Sequence, residues 1–99
     1  MNSDLCLGIR SGNEILEIAA MESGRPFMTV NFPATGMGLE AIKGFLASHG
    51  NPAKLAVSGV AAISVALSLG AGLHSEVFIV SSSVADHPVA LAQYAERSI

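Results

Sequence analysis

The chain has 99 residues, 51% of them hydrophobic and 13% charged, with a formal net charge of −3. That length suits one domain over residues 1–99 and argues against two, while the low charge excludes disorder and the lone Cys6 excludes a disulfide scaffold. Five Lys+Arg against eight Asp+Glu give no electrostatic reason to expect nucleic acid as a partner.

In chain order, Asp4 to Ile9 is a short apolar run ending at Arg10, and Ser11-Gly12-Asn13 supplies turn chemistry. Glu14 to Met21 reads as a second strand and Glu22 to Arg25 as another turn. Pro26 opens a third strand, Phe27 to Phe32, with Met28, Val30 and Phe32 on one face and Thr29 and Asn31 on the other. Tight turns between three strands give an antiparallel meander. After Pro33 the period changes. Thr35 is placed to cap a helix in which Leu39, Ile42 and Leu46 form a stripe widened by Phe45. His49 falls in its last turn, with Gly50 as the cap and Pro52 as the stop. Leu55 to Val57 is a fourth strand, Val60 to Leu73 a second helix and Glu76 to Ser81 a fifth strand. Asp86-His87-Pro88 starts the last helix, with Pro88 at its first position.

The order β-β-β-α-β-α-β-α predicts an α/β protein: a five-stranded mixed sheet with helices packed on it and right-handed crossovers. A mean hydropathy of +0.53 calls for an association surface or a membrane. Leu55 to Ser75 carries no Asp, Glu, Lys or Arg and is long enough to span a bilayer. Ser58-Gly59 breaks it, Gly70 and Gly72 loosen its far end, and no basic cluster flanks it, so no membrane span is expected. Asp4, with no Lys or Arg before Arg10, does not support a secretory signal. A single cysteine fits a reducing cytoplasm.

The order resembles the ribonuclease H-like fold, with an expected sheet order of 3-2-1-4-5, and within it the N-terminal, resolvase-like domain of the DEDD transposases of bacterial insertion sequences. The residues that carry the resemblance are Leu7-Gly8-Ile9, the Asn13 to Ile18 hairpin partner, and Phe32 to Ala41 leaving the third strand. Ala56-Val57-Ser58-Gly59-Val60 and Glu76 to Val80 complete it. The resemblance implies two divalent metals held between carboxylates, which clamp a phosphodiester. Here the chain departs from the family. The strand-one Asp is Arg10, the strand-four Glu matches Ser58 or a neighbour, none of them acidic, and after strand five only Asp86 lies within reach, with Glu96 further along the last helix. No metal, no cofactor and no nuclease activity are therefore expected. Nucleic acid remains a partner by family resemblance alone, as would hold for a fragment of a transposase-like nuclease. Leu55 to Asp86 also resembles the isochorismatase-like cysteine hydrolases, but Ala61 to Ser64 holds no nucleophilic cysteine.

Three further constellations have ordinary explanations. Cys6, between Leu5 and Leu7, reads as a small buried hydrophobe. His49, His74 and His87 sit at helix ends and match no zinc spacing. Asp86-His87 near Ser81-Ser82-Ser83 reads as a helix start rather than a hydrolase site.

Two functional expectations remain. A non-catalytic ribonuclease H-like domain would act as an assembly or interaction module, as a homodimer. The helix from Val60 is apolar all round, with Val60, Ile63 and Leu67 on one stripe and Val65 and Leu69 nearly opposite. Its expected contact with a second copy uses Ser64, Val65, Ser68 and Leu69, the alternative cover being the C-terminal helix. The other expectation is a small-anion site, for phosphate or a nucleotide, in the crevice at the carboxyl ends of strands one and four. Arg10, Ser11, Ser58, Gly59 and Ser81 would form it, with the helix N-terminus near Val60.

Overall fold

A computed structural model describes residues 5–22, 24–49, 54–70, 76–81 and 87–97. The Gly50 cap, Pro52, Gly72, His74, Ser82, Ser83 and Asp86 lie outside the described residues. The elements are β1 (Leu5–Ser11), β2 (Ile15–Glu22), β3 (Arg25–Pro33), α1 (Gly36–His49), β4 (Lys54–Gly59), α2 (Ala62–Gly70), β5 (Glu76–Ile79) and α3 (Pro88–Arg97). They form an α/β structure with one mixed sheet in the order β3-β2-β1-β4-β5.

The β1–β2 turn closes through the Gly12 N–H, which donates to the Ile15 carbonyl at 2.9 Å. β1, β2 and β3 pair antiparallel, and β4 joins β1 in parallel, followed by β5 in parallel. Phe27 is skipped where β3 meets β2 at Ala20/Met21, a local irregularity beside Pro26 on an edge strand. β1, β3, β4 and β5 therefore run in one direction, and α1 and α2 begin just past the ends of β3 and β4.

Alternation along β1 assigns its side chains to two cores. Leu5, Leu7 and Ile9 join Leu16, Ile18, Leu55 and Val57 under α1 and α2. The α1 stripe contributes Ile42 and Leu46, both fully buried, with Leu39 and Phe45 packed at the margin. Phe45 meets Phe32 of β3 edge-on at 6.0 Å between ring centroids. Met28, Val30 and Phe32 are half-buried on this core, whereas Thr29 and Asn31 are exposed. On the opposite face Cys6 and Ala56 pack against Leu91 and Ala95 of α3. α3 can lie that close to β1 because Gly8 has no side chain: a Cβ there would stand 2.7 Å from Leu91 Cβ and nearer still to the backbone of Pro88 and Ala92.

The helix ends follow side-chain chemistry. Thr35 Oγ1 accepts the Gly38 N–H at 3.1 Å, the N-cap expected for α1. His87 caps α3: its carbonyl accepts the Leu91 N–H at 2.9 Å, and its Nδ1 accepts the Val89 N–H at 3.3 Å. At the far end of α3, Glu96 accepts the Gly24 N–H at 2.7 Å and ties the helix to the β2–β3 turn.

The uncharged stretch from Leu55 is divided between β4 and α2, and no helix among the described residues is long and apolar enough to cross a membrane. α2 starts two residues later than the sequence pattern suggests. Gly59 has φ +105°, and the Val60 N–H is drawn to the Ser11 carbonyl at 2.9 Å, so the chain turns before the helix begins.

Candidate functional site

The carboxyl ends of β1 and β4 are adjacent, with Arg10 opposite Ser58 and Ser11 opposite Gly59. The structure nevertheless does not bring the five expected ligand residues into one crevice. Strand alternation sends Arg10 and Ser58 to the α3 face and Ser11 to the face covered by α1 and α2. The sheet itself separates them. Arg10 is engaged across the hairpin, its Nη1 donating to Glu17 Oε1 at 2.8 Å. Gly59 serves the turn, and a Cβ on it would collide with the Ser11 backbone. Ser81 is exposed beyond β5, at the rim of an open groove of about 470 Å³ that also involves Val60, Ile63 and Ile79.

Ser58 and Ser11 are 0% and 2% exposed, and neither hydroxyl has a hydrogen-bond partner among the described residues. A buried hydroxyl without a partner costs stability. Ser58 faces α3. Ser11 lines a second cavity of about 280 Å³ beneath the starts of α1 and α2, where Leu16, Thr35, Gly36, Ala61 and Ser64 also lie. Sequence reasoning missed the contribution of Thr35 and Gly36. Their signal was the topology: a helix after β3 and a helix after β4 both begin at the end of the sheet where β1 finishes.

The expected dimer contact also needs correction. Val65 and Leu69 are 3% and 1% exposed and belong to the core, with Ala62 and Ala66 beside them. A contact with a second copy cannot use them. Ser64 is exposed and Ser68 half-buried. The outward stripe is instead Val60, Ile63 and Leu67, at 74%, 64% and 70% exposure, with Ile79 of β5 at 56%. The stripe that faces the core holds Ala62, Val65, Ala66 and Leu69. α3 packs on the other face, so it does not cover this stripe.

Cys6 is buried at 5% exposure and sits in the α3-side core. Among the described residues, no group of three or more His, Cys, Asp or Glu is placed to hold a metal ion. No protein-family model matches the sequence, and no curated protein matches it either.

Proposed function

We propose that this chain is a non-catalytic ribonuclease H-like domain that serves as an assembly module, self-associating through the outer face of α2 and the neighbouring edge strand β5. The observation that carries this reading is the contiguous apolar stripe Val60, Ile63 and Leu67, extended by Ile79 across the groove. Isolated exposed apolar residues are ordinary, but two on one short helix, a third in the turn that leads into it and a fourth on a sheet edge form the kind of patch that association covers. Among the described residues β5 ends the sheet, so the backbone groups of its outer side have no strand partner there.

The sheet order β3-β2-β1-β4-β5 supports the ribonuclease H-like assignment, with its meander and two parallel crossovers. The non-catalytic part rests on two positions. Arg10 stands at the resembled strand-one carboxylate and is paired with Glu17, while Ser58, at or beside the position of the strand-four carboxylate, is fully buried. A cation and a buried hydroxyl offer a divalent metal no pair of oxygen anions.

Sedimentation velocity on the wild type and on Leu67→Glu tests the association. The wild type is expected to sediment as a dimer and the variant as a monomer with an unchanged far-UV circular dichroism spectrum. A wild type that stays monomeric over the whole accessible concentration range refutes the reading.

A further inference from the structure

We infer that two copies of this chain join along β5, antiparallel, about a two-fold axis at Phe78, so that their sheets become one continuous sheet. The inference rests on the association proposed above and specifies which atoms make it. The Val80 N–H donates to the Val57 carbonyl at 2.8 Å, so the backbone groups of Val80 and, two residues back, of Phe78 are turned toward β4. Those of Val77 and Ile79 are turned the other way, to the edge, where no strand among the described residues meets them. A two-fold axis at Phe78 sets Val77 of each copy opposite Ile79 of the other. Opposed residues whose N–H and C=O groups face each other form the hydrogen-bonded pairs of an antiparallel ladder. This is the register in which both outward-facing residues find partners within β5 itself.

The two edges of the sheet differ in their defences. β3 carries Arg25 and Pro26 at its start, Pro33 at its end and the irregularity at Phe27. β5, Glu-Val-Phe-Ile, has no proline, no lysine and no irregularity. Its one charge, Glu76, falls opposite Val80 of the other copy, so the two Glu76 residues stand about 14 Å apart, beyond the screening length of about 8 Å. β5 is short, so backbone pairing sets the register and side chains must supply the area. Of the large hydrophobic residues exposed among the described residues, all but Ile15 and Met37 lie on β5 or on the helices and turn beside it. On one face Ile79 joins Val60, Ile63 and Leu67. On the other Tyr94, 39% exposed, meets Phe78 edge-on at 6.2 Å between ring centroids. Cross-strand neighbours share a face, so the pairing brings Ile79 against Val77 of the other copy beside α2, and Phe78 against its symmetry mate beside Tyr94. The exposed side chains leave roughly 500 Å² open per copy, so covering both removes roughly 1,000 Å², the floor for a specific interface before the strand backbones are counted.

Amide hydrogen exchange on the unmodified chain tests the pairing. Phe78 and Val80, bonded to β4, should be protected in dimer and monomer alike. Val77 and Ile79 should exchange at least roughly tenfold more slowly in the dimer than in the monomer, reached by dilution or by Leu67→Glu. Ile79→Pro removes a donor from the outer side of β5 and none from its ladder with β4, and should sediment as a monomer. Ile79→Val, close to proline in size but keeping the N–H, should remain a dimer. Fast exchange at Val77 and Ile79 in a dimer, or an equal effect of the two variants on sedimentation, overturns the edge pairing and leaves association through α2 standing. Protection of Val77 and Ile79 that persists in the monomer means that another segment of the same chain covers the edge, which also overturns it. A wild type that is monomeric throughout refutes both readings.

Discussion

Gly8→Ala is the substitution with the most legible consequence. One methyl group would be added at the centre of the sheet, where α3 crosses β1. Its Cβ would stand 2.7 Å from Leu91 Cβ, against an ordinary contact of at least 3.4 Å, and closer still to the Pro88 carbonyl oxygen and the Ala92 nitrogen. The helix must therefore retreat by at least roughly 0.7 Å, and further at its backbone. Backbone cannot swing aside as a flexible side chain can. Overpacking of this kind costs about 1–3 kcal/mol. Retreat also loosens Leu91, Ala92 and Ala95, all 0% exposed, and full loss of one leucine's burial alone is worth about 1.5–3 kcal/mol. A total near 3 kcal/mol lowers the melting temperature by roughly 12–24 °C in a domain of this size. Gly44→Ala is the matched control. It is an exposed position in α1 with nothing within 4 Å of the added Cβ, and it should stabilise by about 0.5–1 kcal/mol through helix propensity. Differential scanning calorimetry of the two variants gives opposite signs if the close approach of α3 is right. A Gly8→Ala protein that melts with the wild type refutes it.

Gly59→Ala should destabilise by about 1–3 kcal/mol in urea melts, because φ +105° is strained for alanine and the methyl group meets the Ser11 backbone. Ser58→Ala removes a buried hydroxyl that has no partner among the described residues and should leave stability unchanged or raise it by about 1 kcal/mol, read from the same melts. Thr35→Ala deletes the α1 cap and should cost about 1 kcal/mol, with faster hydrogen exchange at the Gly38 amide.

The α/β architecture was legible in the sequence because most elements carry one clear period. Met28, Val30 and Phe32 alternate, and Leu39, Ile42 and Leu46 repeat at helical spacing, and each set faces the core on which it packs. α2 was different. Both of its stripes are apolar, so periodicity could not say which one meets the sheet, and the structure puts Ala62, Val65, Ala66 and Leu69 there. The candidate site was misjudged for a simpler reason. Arg10 and Ser11 are neighbours in a strand, and the two-residue period alone sends them to opposite faces. The antiparallel register then hands Arg10 to Glu17. That the hydroxyls of Ser11 and Ser58 find no partner among the described residues had no sequence signal at all, since such a lack is a property of a serine's surroundings.

The packing of α3 on Gly8 also orders events during synthesis. β1 and β2 can pair as soon as their turn has left the ribosome, but the face of β1 that carries Cys6 and Gly8 waits for residues near Pro88 and Leu91. Until those residues emerge, the middle strand of the sheet has one side uncovered. Such long-range closure makes folding slow relative to helical proteins of this length and leaves a nascent chain with a sticky surface. The glycine that lets the helix seat so tightly keeps that surface small: at the one place where β1 must wait longest, it exposes a hydrogen where another residue would expose a side chain.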